Sequence, residues 1–531
     1  MKTSVKLILT VATLLCFFEI KAQNITKHSN HLSDTPILSK AQMLADYDSL
    51  VSYINQVSPI IQFNKEVRHI DFNKHAKKLK KKITSKTSRE EYLFLVEKTL
   101  IVAQDGHSNR LGNSLLDIVK TVWIPKGIAT GLDTLDFPHS YKYEKFIKEN
   151  FYTKLKLELV YINGEYYNIL PFSYKGKNYP AAMKLISCND KKIHQFVKNM
   201  EELISPLRWD RANNKVYHEN FYTVGEIYKN NQLKLTFIDK NQEKKIVSIT
   251  KDDTVTFLEE KKNNFGYNTN KVPVITHYFE KEQIFYGKIP TMDEKFGDTL
   301  TKHFETVMKK FPVKSIVLDV RGNGGGSDNT YGKFLGKILK DTIKTNLTVG
   351  RILSPLNFKY YDMNKDSIAA YGLSLIKNGP KLKNLKMFYN IIPNYSFFYP
   401  EKEILPFEGN IYVLQDRFIF SSTSNLSSLA YKSKKLISIG EMPNLLGGMQ
   451  NIPSVFCLPY SKVIFRLEPQ IDFTDCKTVA DIFQNQVEHF VTYPIDFLHN
   501  RATTNEDILG KNFLMQKDPM FKKVIELELK Q

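Results

Sequence analysis

Apolar residues recur at helical spacing from Ala41 to Gln104. Met43, Tyr47, Leu50 and Ile54 form one stripe, and Tyr92, Leu95, Val96, Val102 and Ala103 form another. Ser88 and Glu91 stand before the second stripe as a capping box, and that helix is expected to end at Asp105-Gly106. Between the stripes, Ala76, Leu79 and Ile83 keep the period inside a lysine-rich run. Strands and lysine dominate from about Phe151 to Asn270. Further on, Gln283 to Ile289 predicts a strand, and Leu300, Phe304, Val307 and Phe311 the inward face of a helix. Ile316 to Leu318 predicts a buried strand, and Tyr331, Phe334, Leu335, Ile338 and Leu339 a second helix. Ile411 to Leu414, then Leu426, Leu429 and Ala430, then Leu436 to Ile439 predict a βαβ unit. Residues 345–408 lack periodicity, and the tail from Thr503 closes with a helix. Alternating strands and helices of this kind build an α/β core.

The first residues read as a targeting segment. Lys2 and Lys6 precede an apolar run from Leu7 to Phe18 that is too short to span a bilayer, and Ile20-Lys21-Ala22 offers a cleavage site. Residues 1–22 are therefore expected to be a signal peptide that exports the protein to the periplasm or beyond, not a transmembrane anchor. Leu14 and Leu15 precede Cys16 where a lipoprotein signal would carry small residues. The other cysteines, Cys188, Cys457 and Cys476, allow at most one internal disulfide, so this is no disulfide-stapled scaffold. A chain of 531 residues can hold two or three domains with cores of their own.

A net charge of +19 raises nucleic acid as a partner. The densest run, KHAKKLKKKI at 74–83, fits the solvated face of an amphipathic helix, no zinc-finger spacing occurs, and export removes nucleic acid from reach. Peripheral contact with acidic envelope polymers stays compatible with this charge. Among twelve histidines none forms H-E-x-x-H, which argues against a metallopeptidase; no metal or cofactor is expected.

Two stretches carry candidate chemistry. In the first, the strand at Ile316–Leu318 runs into Gly322 to Gly326, where four of five residues are glycine, and then into a helix. A phosphate loop is excluded because five residues separate Gly326 from Gly332 and Phe334 follows Lys333. A dinucleotide fingerprint from Gly322 is excluded by Ser327. What stays open is an oxyanion hole of backbone N–H groups or a tight turn without chemistry. In the second stretch, Ser421 lies where the chain enters a helix, close to unpaired N–H groups and the positive end of the dipole. That suits a nucleophile, and it equally suits a plain cap, as for Ser422, Thr423 and Ser424 beside it.

Together D-V-R-G-N-G-G-G (319–326), D-x-x-I-F-S-S-T (416–423) and S-I-G-E (438–441) resemble the serine peptidase family of the C-terminal processing (tail-specific) proteases and the tricorn protease core. Retinoid-binding protein repeats share that superfamily. The resemblance implies Ser421 as nucleophile, with the N–H groups of Gly325 and Ser422 as oxyanion donors. A-Q-D-G-H-S-N-R (103–110) is similar to the family's aspartate-glycine-histidine-threonine signature, which implies His107 as general base with Ser108 assisting. The tail-specific branch uses a lysine instead; the corresponding position here is Leu446, and no lysine occurs between Leu436 and Ser461. A histidine suits the task because its ordinary pKa lies near neutrality, and a preceding helix C-terminus would favour its imidazolium. An orienting glutamate is implied at Glu488, in E-H-F-V-T-Y-P-I-D (488–496), where Ile495 is inserted into the family's proline-aspartate pair; an exposed charge is the other reading.

Residues 179–198 resemble a segment of the PDZ-like module of this family, with Ala182 and Asp190 where glycines are usual. The alternative is a β-rich structural domain. The expected organisation is a signal peptide at 1–22, a helical N-terminal region carrying His107 at 23–125, a β-rich, PDZ-like insert at 126–278 and an α/β (α+β) peptidase core of ββα-type units at 279–531. The function implied is a secreted serine endopeptidase acting on polypeptide substrates. The competing class is a non-catalytic peptide- or ligand-binding protein on the same fold.

Overall fold

The protein is described by a computed structural model covering residue 32 and residues 34–530 except 133, 264–272, 362–386, 406, 434, 444–452, 475 and 484–485. The expected signal peptide, much of the 345–408 insertion and most of the loop after Glu441 lie outside the described residues. Within them, helices and sheets mix as an α/β (α+β) fold.

The organising element is a six-stranded sheet in the spatial order Ile275–Phe279, Ile284–Lys288, Ser315–Asp319, Asn410–Gln415, Leu436–Gly440 and His489–Phe490. The first pair is antiparallel and every later pair parallel. Alternate side chains leave opposite faces of each strand, and the two faces feed separate cores. Ile316, Leu318, Ile411 and Val413 pack with Leu300, Phe304, Phe334 and Leu426 on one side. Val317, Tyr412 and Leu414 pack with Leu498, Leu514 and Phe521 on the other. Each such fully buried side chain contributes about 1.5–3 kcal/mol, which explains why these strands are apolar runs rather than alternations. The helix Glu294–Met308 stops before Phe311, which was expected to face inward; Phe311 is 42% exposed and stacks on Tyr278.

The N-terminal stripes become Lys40–Val57 and Arg89–Val102, the second with the Ser88–Glu91 capping box in place. That helix ends short of Asp105 because Gln104 turns to φ +52° and its buried side chain donates to carbonyls of Ile101, Glu201 and Ile204. A sheet of six strands, counting the short side strand Lys191–Lys192, spans Leu159–Ile162 to Lys244–Thr250. Ala182 and Asp190 both have positive φ, +60° and +62°, the conformation that glycine holds without strain.

The chain then does something its sequence order does not suggest. After the strand Leu436–Gly440, the hairpin Ser454–Cys457 and Ile464–Leu467 leaves the six-stranded sheet and pairs with Asn109–Arg110. Its Phe456, Phe465 and Leu467 join the core of the N-terminal helices. Among the described residues no helix is long and apolar enough to cross a membrane.

Candidate active site

Two neighbouring parallel strands, Ser315–Asp319 and Asn410–Gln415, deliver the two motif turns side by side at their carboxyl ends, where open α/β sheets place their sites. Below the first turn, Asp319 and Arg321 form a buried anchor. Arg321 Nε donates to Asp319 Oδ1 at 3.0 Å and Nη2 to Oδ2 at 2.6 Å, while Nη1 reaches Asp518 Oδ2 at 2.6 Å. Tyr286 OH donates to Asp319 Oδ2 at 2.7 Å, and Lys288 lies against Asp319 and the Arg321 carbonyl. Although burial opposes its charge, Arg321 and Lys288 hold the Asp319 pKa well below the usual carboxylate range.

The glycine turn is fixed by close approach. A Cβ on Gly326 would sit 2.1 Å from the Met292 carbonyl oxygen, so only glycine lets that strand end come near. Asn323 ties this turn to the one that carries Ser421: its Oδ1 accepts from Gly325 N–H and from Thr423 Oγ1, each at 2.8 Å, and its carbonyl accepts from Phe420 N–H at 3.1 Å. The expected donor Gly325 is therefore already committed to Asn323. In the same turn the N–H of half-exposed Gly324 has no acceptor among the described residues, nor does that of Ser422 at the first turn of the next helix.

Ser421 precedes the helix Ser422–Lys432 with φ +55° and ψ −127° and makes no side-chain capping bond. A non-glycine residue in this region is strained, and it persists only where its surroundings over-determine it. The Ser421 carbonyl accepts from Ser424 and Asn425 N–H, while Ser422 Oγ instead donates to Asp328 Oδ1 at 2.7 Å. The strain is spent on holding the Ser421 side chain outside the helix's own hydrogen bonding.

His107 lies 2% exposed with its ring 4.7 Å, centroid to centroid, from that of Phe420, the residue before Ser421. Contact is thus made across more than 300 residues of chain. Its Nδ1 is 3.1 Å from Glu468 Oε2, off the line of a hydrogen bond. The strand pair Asn109↔Arg466 brings these two together, and Glu468 N–H donates to Ser108 Oγ at 2.9 Å. Ser108 in turn donates to Asp105 Oδ2, and Asp105 Oδ1 accepts from His107 N–H at 3.1 Å. Ser108 therefore braces the loop and Glu468 rather than the imidazole.

Burial, with the Arg466 guanidinium, pushes the His107 pKa down to about 3, so the resting imidazole is neutral. This reverses the expectation that a helix end favours the imidazolium, because desolvation outweighs a dipole whose helix has already ended at Val102. Burial also pushes Glu468 up to about 8 and, with Glu468 nearby, Asp105 up to about 6.

Glu488, expected to orient His107, is exposed at the far edge of the central sheet, where its N–H donates to Ser438 Oγ at 2.9 Å. Glu468 occupies the place beside the imidazole instead. The signal in the sequence is a carboxylate that follows Val463-Ile464-Phe465-Arg466-Leu467, four apolar residues and one arginine, a position where a charge needs a partner.

Residues 283–467 match the family model for peptidase family S41. Solved structures of similar fold include mature CPAF complexed with lactacystin, at 9% identity over 93% of this chain and 99% of that chain with a TM-score of 0.55. Mature CPAF alone gives 9% identity over 93% and 98% with a TM-score of 0.54. The photosystem II D1 C-terminal processing protease gives 12% over 88% and 98% with a TM-score of 0.38. No curated protein matches. Over residues 283–467, about a third of its length, the chain is thus similar to peptidase family S41, and its fold is shared with solved peptidases.

Proposed function

We propose that this protein is an exported serine endopeptidase of the S41 type, in which Ser421 is the nucleophile and His107 the general base. The observation that carries the reading is Ser421 itself, held at φ +55° with no cap to make and flanked by the residue that packs on His107. Ser421 Oγ attacks the peptide carbonyl while neutral His107 accepts its proton and returns it to the leaving amine. A buried imidazole whose pKa is low is a weak base by itself; Glu468 beside Nδ1, once it has lost its proton, makes the imidazole stronger as positive charge develops. The N–H groups of Ser422 and Gly324 meet no acceptor among the described residues and are assigned to the oxyanion. The leader at 1–22 would export the enzyme, and the β-rich region, read as a divergent PDZ-like module, would grip polypeptide substrate.

The test is hydrolysis of an unstructured polypeptide by the wild type and Ser421→Ala. Cleavage by the wild type alone supports the reading. An intact substrate with folded wild type would favour the peptide- or ligand-binding alternative.

A further inference from the structure

Arg417 lies in the turn that leads from the strand Asn410–Gln415 to Ser421, and its side chain is almost wholly buried. Its partners come from two different parts of the molecule. Nη1 donates to Glu441 Oε1 at 2.6 Å and its N–H to Glu441 Oε2 at 3.3 Å, both within the peptidase core. Nη2 donates to Glu219 Oε1, which belongs to the β-rich region and also accepts from Tyr161 N–H at 3.0 Å. The same region sends Arg208 across: its Nη1 donates to the Arg417 carbonyl, and its guanidinium lies 5.2 Å from the ring centre of Phe418. Arg417 covers that ring too, at 4.9 Å.

The core alone could neutralise Arg417, since Glu441 already pairs with it and is itself steadied by Thr492 Oγ1 at 3.1 Å. A second carboxylate on one cation adds no charge balance, and two buried carboxylates facing each other cost stability unless both are held. What Glu219 adds is a mechanical link. The turn that must keep Ser421 in a strained conformation is gripped from outside its own domain, at the side chain by Glu219 and at the main chain by Arg208.

We propose that Glu219 and Arg208 are positioning residues through which the β-rich region sets the reactivity of Ser421. The inference rests on the nucleophile role given to Ser421 above. Neither residue touches the reacting atoms; both act through Arg417 and Phe418. The peptidase core is then fully competent only while the β-rich region is seated on the 416–420 turn, which couples that region's position to catalysis.

The experiment uses the full-length protein and a fluorophosphonate probe, with adduct formation followed by intact mass, alongside kcat and KM on an unstructured polypeptide. The variants are Glu219→Gln, Glu219→Asp and Arg208→Gln, each assayed below its melting midpoint. Glu219→Gln and Arg208→Gln are expected to lower the labelling rate and kcat by at least about tenfold with little change in KM, and Glu219→Asp to recover part of the loss. Labelling of Glu219→Gln and Arg208→Gln at the wild-type rate would overturn the coupling while leaving Ser421 as nucleophile. A fall confined to KM would also overturn it, since that is the mark of substrate grip alone. Absence of any adduct on folded wild type would remove the nucleophile role and the coupling together.

Discussion

The buried charges around Asp319 and those around His107 are equally dry and differently built. Around Asp319, the carboxylate oxygens and the Arg321 nitrogens that bind them and Asp518 are all engaged. The same network reaches the helix Pro519–Leu529, whose N–H groups Asp518 caps. Around His107 the same depth of burial comes with incomplete pairing: Nδ1 and Glu468 Oε2 stand 3.1 Å apart without a hydrogen bond. The consequence is opposite shifts. Asp319 is driven firmly into its charged form, whereas Glu468 and Asp105 are pushed toward their neutral forms and His107 is held uncharged. A saturated buried network fixes structure, and an unsaturated one is ready to exchange a proton.

The comparison can be broken at either cluster. The largest effect is expected from Ser421→Ala and His107→Ala, which should each lower kcat/KM by roughly 10⁴-fold or more, read in a peptide cleavage assay, with unfolding midpoints close to wild type. Arg321→Met should leave Asp319 with only Lys288 and Tyr286 and take the same arginine from buried Asp518, and cost about 3–5 kcal/mol of stability in urea denaturation, with the surviving folded fraction still active. Glu468→Gln should do the reverse, lowering kcat/KM by about 10²–10⁴-fold while unfolding free energy holds or rises, because a desolvated carboxyl is removed. Glu488→Gln, an exposed change, should stay within about 0.5 kcal/mol in stability and leave the cleavage rate unaltered. If Glu468→Gln unfolded the protein and Arg321→Met did not, the roles assigned to the two clusters would be exchanged.

How much of this was legible beforehand follows from how local each signal is. The strands at Ile316–Leu318 and Ile411–Leu414, the glycine turn and Ser421 were readable because strand, turn and helix follow one another within a short stretch. His107 was readable from its immediate neighbours. Glu468 was not, because it reaches His107 only through the pairing of Asn109 with Arg466, a contact between distant segments that no periodicity encodes. Glu488 was misassigned from a spacing already disturbed by Ile495. Gly325 was misassigned for a subtler reason: the glycine pattern shows that N–H groups are bare, but which one is free depends on where the Asn323 side chain turns. The buried Arg417 with its partner Glu219 was equally hidden, since Glu219 lies in a strand-rich region whose docking face has no pattern of its own.

In the proposed mechanism the under-paired His107–Glu468 cluster, not merely the serine, sets reactivity. Its most direct test is the rate of fluorophosphonate labelling at Ser421 as a function of pH in wild type and Glu468→Gln. Glu468 has its pKa raised to about 8, so its proton leaves as pH rises through that value, and the carboxylate that supports His107 is formed only above it. The labelling rate is expected to climb through about pH 8 in the wild type and to stay low and flat across that range in Glu468→Gln. The same rising profile in both proteins would contradict it.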